Sequence, residues 1–279
     1  MPGVVDGPTI LAIFAHPDDE SLTCGGTIAR LTDAGARVVL LCASRGERGS
    51  VSDPALVPGG DVGQARTREL LDAAAILGIR DVVVLDHRDG NLRWEDVPEL
   101  HAEIVALVEQ YRPSVVITFD EDGLYWHLDH IGVHERTYTA LRTFGDAAPA
   151  LYYVTMPKGI MREVVEAAQA RGAALPDARV WGIAPDAFGA AAEPPTLSID
   201  VRPWVPRKLA ALRSHRTQIG PRHPLTWIDD DQARRWLGVE YFRKAPIPGI
   251  DDRTLEALRE VDSRQPTVDS GPQFRDGKL

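Results

Sequence analysis

"TILAIFAHPDDE", residues 9–20, decides how the rest of the chain is read. The apolar run ending at Ala15 has the character of a buried strand. The next five residues then supply an imidazole, a proline and three carboxylates. Burying unpaired carboxylates is costly. Either water or a positive partner is therefore expected at the mouth of this strand.

Working outward, the first half of the chain alternates strand-like and helix-like segments. "RVVLLCAS" (37–44), "DVVVLD" (81–86) and "SVVITFD" (114–120) are further continuous apolar or β-branched runs, which suit strands covered on both faces of a parallel sheet. Between them, "ELHAEIVALVEQY" (99–111) places Leu100, Ile104, Leu107, Val108 and Tyr111 on one helical stripe. "ARTRELLDAAAILG" (65–78) is rich in helix formers and closes on Gly78, the residue expected just past a helix C-terminus. Repeated strand–helix–strand units imply right-handed crossovers. The fold expected is α/β: a doubly wound, mostly parallel Rossmann-like sheet with helices on both faces. Residues 150–261 complete it, with strands at "LYYVTM" (151–156) and "TLSIDV" (196–201). Helices are expected at "IMREVVEAAQARG" (160–172) and "PRKLAALRSH" (206–215), the whole forming a C-terminal roof over the site. We expect one domain over 1–261 and a flexible tail over 262–279, where apolar content is too low to pack.

The polar residues gather at one end of the strands: His16, Ser44, Asp86 and Asp120 each follow an apolar run. Open α/β sheets bind ligands outside the carboxyl ends of their strands, where strand order reverses. The loop "RGERGSVSDPALVPGGDVGQ" (45–64) borders the same end, and loops of this length are commonly functional or disordered.

The chain has 279 residues, with 31 basic and 41 acidic side chains and a net charge of −10. Binding to nucleic acid or an anionic membrane relies on excess Lys and Arg, so neither is expected as a partner. Cys24 and Cys42 make no disulfide framework and read as small buried residues. No basic n-region opens the chain, and no stretch is long and apolar enough to span a bilayer. The expectation is a soluble, cytoplasmic protein, for which a homo-oligomer stays open.

A second polar cluster, "DEDGLYWHLDH" (120–130), follows the fourth strand. If the first and fourth strands are neighbours, the two clusters face each other across a crevice. Two imidazoles with one carboxylate, leaving positions open, are a common catalytic metal arrangement. A divalent cation then answers the excess negative charge.

"AHPDDE" followed by "HLDH" resembles the PIG-L/LmbE-like family of zinc-dependent deacetylases acting on N-acetylglucosamine-type groups, among them the mycothiol- and bacillithiol-pathway enzymes. The resemblance runs over roughly 8–145 and returns weakly at "KLAALRSHRTQ" (208–218). It implies metal ligands at His16, Asp19 and His130, with Zn²⁺ as the ion and Fe²⁺ or another divalent ion as alternatives. It implies Asp18 as general base, His127 as the acid or electrophile at the substrate carbonyl, and Asp129 as the residue orienting and charging His127. Arg66, Tyr125 and Glu47 (of "GE", 46–47) match substrate-binding positions. The second motif departs from the family's "GHPDH" by reading "WHLDH", so Trp126 and Leu128 make the pocket rim bulkier.

The activity implied is removal of an acyl group, acetyl foremost, from an amino sugar or related small N-acyl substrate. Such hydrolysis needs a nucleophile at neutral pH, and zinc lowers the pKa of a ligated water from about 15.7 to about 7. Two other readings compete. A 2-His-1-carboxylate centre also suits an oxygen-activating Fe(II) enzyme. A non-catalytic nucleotide-binding α/β module lacks its signature here, since no G-x-G-x-x-G follows the first strand. His134 reads as a surface or supporting histidine, and His215 as a residue able to reach the pocket.

Overall fold

A computed structural model describes residues 7–95, 97–175 and 178–259. The chain runs β1 (Thr9–Phe14), α1 (Asp19–Asp33), β2 (Arg37–Ser44), α2 (Val62–Leu77), β3 (Asp81–His87), α3 (Val97–Tyr111) and β4 (Val115–Phe119). A single irregular turn, α4 (Gly123–Trp126), precedes α5 (Leu128–Arg142), β5 (Ala150–Thr155) and α6 (Ile160–Ala170). The remainder is β6 (Leu197–Asp200), α7 (Val205–Ser214), α8 (Pro224–Trp227), α9 (Asp230–Leu237), β7 (Val239–Lys244) and α10 (Thr254–Ala257). The expected tail at 262–279 lies outside the described residues.

The seven strands lie in the order β3-β2-β1-β4-β5-β7-β6. Strands β1 to β5 are parallel, whereas β7 joins β5, and β6 joins β7, in antiparallel register. From β1 the chain winds outward to β2 and β3, then returns to β4 on the other side of β1. Right-handed crossovers in the two directions put their helices on opposite faces. Consistent with this, α1, α2 and α7 pack together, and α3 packs on α5. Strand order thus reverses between β1 and β4, whose pairing (Ile10 opposite Val115) brings their two polar turns side by side.

The expected stripe of α3 is buried at Leu100, Ile104, Leu107 and Val108. Gly78 ends α2 at φ 81°, a left-handed cap that only glycine adopts without strain. Strand β3 differs from expectation. The apolar run predicts cover on both faces, but β3 is an edge strand and its valines are only half-buried. The β7 strand, "VEYFRK", was not anticipated; its side chains alternate in burial because it lies near the other edge.

Beside the main core lies a second apolar cluster. Leu22 of α1 and Leu124 of α4 meet Met161, Val165, Phe188, Val205, Leu209, Leu212 and Ile219 there. Packing between the C-terminal segments and the two polar turns begins at these contacts. Among the described residues, no helix is long and apolar enough to cross a membrane.

Candidate metal centre and catalytic pocket

The turn after β1 is built by its own side chains. The His16 N–H donates to Asp19 Oδ2 at 2.8 Å, and Thr23 Oγ1 donates to the Asp19 carbonyl at 2.7 Å. Asp18 holds the N-cap position of α1, where an aspartate commonly receives the helix amides. Its side chain makes no such bond, and its backbone is left-handed at φ 118°, ψ −23°. For a residue with a Cβ this costs on the order of 1–3 kcal/mol, a strain that clusters at functional sites. Simple capping therefore does not account for Asp18.

The turn after β4 is strained as well, with Leu124 at φ 69° and Trp126 at φ 66°. It leads to His127, the N-cap of α5, so that Asp129 and His130 fall in the first helical turn. His130 lies flat on Phe119, with ring centroids 3.9 Å apart. Its Nδ1 faces the Gly123 carbonyl at 3.1 Å, which places the proton on Nδ1 and frees Nε2 as a lone-pair donor.

Across the crevice, His130 Nε2 is 3.3 Å from His16 Nδ1 and 3.2 Å from Asp19 Oδ1. His16 Nδ1 is 3.5 Å from Asp19 Oδ2. A tetrahedral ion with bonds of about 2.0–2.1 Å needs donors about 3.3–3.4 Å apart. The pairwise spacings come close to that requirement, with Asp19 presenting Oδ1 to His130 and Oδ2 to His16. On its far side, His16 Nε2 is 3.1 Å from Asp129 Oδ2 and 3.2 Å from Asp89 Oδ1. The ring is thus protonated at Nε2, with Nδ1 turned toward the other two donors. Two further donor groupings occur, His16 with His127 and His130, and His16 with Asp89 and Asp129. In the first, His127 Nδ1 accepts the Asp129 N–H at 3.2 Å. Asp89 and Asp129 accept the backbone N–H groups of Arg48, Gly90 and Leu92.

The electrostatics point the same way. Burial opposes charge on His16, yet the hydrogen bonds to Asp129, Asp19 and Asp89 leave its pKa well above the usual imidazole value. Burial likewise opposes ionisation of Asp19, but His130 and His16 pull it well below the carboxylate range. A field that keeps a proton on a buried imidazole is one that a divalent cation satisfies.

Asp18 behaves differently. Burial pushes its carboxyl up to about 6, with Arg66 working against the shift. Arg66 Nη2 donates to Asp18 Oδ2 at 3.2 Å and to the Pro17 carbonyl at 2.6 Å. Its Nη1 donates to the Gly46 carbonyl at 2.8 Å, where a side chain on Gly46 would collide with the guanidinium. Burial, then His130 and His16, push His127 down to about 3. It is therefore a neutral imidazole at pH 7, not one titrating near neutrality.

A cavity of about 240 Å³ opens over this floor. His16, Asp18, Asp19, Arg66, Tyr125 and His127 line it, together with Leu22, Asp89, Arg48, Gly49 and Ser50. Trp181, Ile183 and Gln218 complete the lining. Two side chains have contacts that the motifs did not specify. The Asp129 carboxylate is engaged by His16, Gly90 and Leu92, not by the His127 ring, because α5 turns it toward the loop after β3. Glu47 accepts the Asp89 N–H at 2.9 Å and is not among the lining residues of the cavity.

Of the other strand-end residues, Asp86 is exposed and paired with Arg45. Asp120 is clasped by Arg243. His134 lies outside the cavity lining, where its Nδ1–H donates to the Phe119 carbonyl at 2.9 Å. Asp89 was missed, although it closely follows β3 at the same sheet end. Trp181, Ile183 and Gln218 come from irregular segments with no periodic signal. Trp126 is 58% exposed and stands outside the cavity lining.

Comparison with known proteins fits this arrangement. Residues 11–141 match the family described as PIG-L: GlcNAc-PI de-N-acetylase. The 1D-myo-inositol 2-acetamido-2-deoxy-alpha-D-glucopyranoside deacetylase of Thermobispora bispora is 36% identical over 271 residues, covering 86% of this chain and 89% of the relative. Among solved structures, the N,N'-diacetylchitobiose deacetylase of Pyrococcus horikoshii superposes with a TM-score of 0.60 at 20% identity, covering 86% of this chain and 85% of that one. GalB, the 4-carboxy-2-hydroxymuconate hydratase of Pseudomonas putida KT2440, gives the same TM-score at 20% identity, covering 88% and 99%. A hydratase shares this fold, so the fold alone does not fix the reaction. Sequence identity sustained over most of both chains is the stronger tie, and with the matched motif region it leads to one conclusion: this chain belongs to the PIG-L family.

Proposed function

We propose that the protein is a zinc-dependent N-deacetylase that removes an acetyl group from a small amino-sugar substrate. The observation carrying this reading is the convergence of His16 Nδ1, Asp19 and His130 Nε2 at 3.2–3.5 Å from one another, with His16, Asp19 and Asp18 lining the cavity and His130 buried behind them. The deacetylase activity named for the Thermobispora bispora relative supports the substrate class. The small cavity and the net charge of −10 favour a neutral or cationic small molecule over a nucleic acid.

In this proposal His16, Asp19 and His130 hold the ion. Bound there, a divalent cation acidifies water and polarises a carbonyl. Asp18 Oδ takes the proton from the attacking water and returns it to the departing nitrogen. Of the two roles expected for His127, its depressed basicity favours the electrophile: a neutral ring whose Nδ1 is occupied keeps its proton on Nε2, available to the carbonyl oxygen. Arg66 holds Asp18 and borders the substrate, and Tyr125 lines the same wall with a hydroxyl that can donate to the developing oxyanion. Asp129 and Asp89 orient His16. Residues 150–261 act as part of one domain that closes the pocket, and we place the protein in the cytoplasm.

Acetate release from N-acetylglucosamine and N,N'-diacetylchitobiose tests the reading. Turnover is expected with Zn²⁺ supplied, to be lost on chelation and recovered on adding the metal back. Full turnover in a metal-stripped sample would refute it.

A further inference from the structure

Asp18 serves as a base only while its carboxylate faces the cavity, and its left-handed backbone is not justified by capping. Two side chains hold it there. Arg66 takes the carboxylate. Glu20, fully buried, reaches back with Oε2 to the Asp18 N–H at 3.2 Å. The other Glu20 oxygen accepts Ser21 Oγ at 2.5 Å and lies 3.1 Å from His215 Nε2. His215, also fully buried, caps the C-terminus of α7. A continuous run of polar contacts therefore links the end of α7 to the backbone of the catalytic turn.

We infer that Glu20 and His215 form a buried positioning pair that fixes the Asp18 backbone and so aims the base; this rests on the reading of Asp18 given above. Neither side chain of the pair lines the cavity or belongs to the three proposed metal donors. The pair meets the lining through the Asp18 N–H, which Glu20 accepts, and through the Gln218 N–H, which the His215 carbonyl accepts. A purely structural ion pair would spend its carboxylate on helix amides, as Glu240 does with Gly26 and Thr27. Glu20 instead spends one oxygen on the single N–H whose direction sets the base.

The test uses the full chain reconstituted with Zn²⁺ and N-acetylglucosamine as probe, read as free amine. His215→Ala is expected to lower kcat about tenfold or more, since small misplacements of a reacting group are costly. KM should stay within about twofold. His215→Gln, which keeps a donor toward Glu20, is expected to restore most of kcat. Co²⁺ titration, followed by visible absorption, should give the same stoichiometry and affinity in both variants. The isosteric Glu20→Gln, which cannot accept from all its present donors, should lose kcat with unchanged metal binding; it decides the matter alone if His215→Ala does not fold. Equal losses in His215→Ala and His215→Gln, loss of the ion, or parental kcat in Glu20→Gln would each overturn the pair's role. Asp18→Ala run alongside separates the failures: parental activity there sinks the base itself, whereas inactivity there with active pair variants sinks only the positioning.

Discussion

Two buried acidic groups in this molecule have opposite fates. Glu240, 2% exposed, receives Lys208 Nζ at 2.6 Å and the N–H groups of Gly26 and Thr27 at 2.8 and 2.7 Å. The chain itself satisfies that carboxylate. At the crevice, Asp18, Asp19, Asp89 and Asp129 crowd around His16, His130 and Arg66, and the imidazoles can offer positive charge only by taking protons. A buried carboxylate with its own ammonium ties the sheet to α1. Carboxylates left short of cations are arranged for something that arrives from outside.

Substitutions on the two sides should separate accordingly. The largest effect belongs to Asp19→Ala, which removes one of three donors: stoichiometric Zn²⁺ binding should disappear and kcat/KM should fall about 10³-fold or more, the several kcal/mol an ion supplies. Elemental analysis with the acetate-release assay checks both. Next comes Asp18→Asn, expected to keep the ion while kcat falls about 10²- to 10⁴-fold. Its stability should move the other way. A carboxyl whose folded pKa is raised to about 6 adds stability below its unfolded value and loses that contribution as pH rises through 6. An uncharged asparagine escapes the loss, so the ion-free variant should melt no lower than the parent at pH 7.

Lys208→Met is the converse. It leaves Glu240 buried without its cation, a loss of about 3–5 kcal/mol in stability by denaturant titration. Turnover of the folded fraction should be nearly unchanged. The finest effect is a shift in pH, read on top of the turnover lost when the Asp18 carboxylate is released. Asp18 must be ionised to accept a proton, so kcat/KM falls as pH drops through its pKa. Arg66 lowers that pKa. Arg66→Met should therefore move the acid limb to higher pH, read from a pH–rate profile. A limb that moves down or stays would separate Arg66 from Asp18.

The parallel half of the fold was legible because β1, β2 and β4 are continuous apolar runs and their helices carry clear stripes. The adjacency of β1 and β4, which the sequence left as a condition, brings His16, Asp19 and His130 together. Side-chain direction was not legible. "GE" following β2 does not say that Glu47 turns to the Asp89 amide. The spacing of His127 and Asp129 likewise does not say that the first turn of α5 sends the carboxylate to His16. Asp89 escaped because it lies in a loop beyond β3, not directly on the strand end. Trp181, at φ 49°, and Ile183 belong to a segment with neither helical nor strand period, and only packing brings them to the cavity.

Anomalous diffraction from Zn²⁺-soaked crystals, collected on both sides of the zinc edge, tests the shared cage most directly. A single peak about 2.0–2.1 Å from His16 Nδ1, an Asp19 carboxylate oxygen and His130 Nε2 is the expected result. A peak on other residues, or no peak in crystals of protein that still releases acetate, would contradict it.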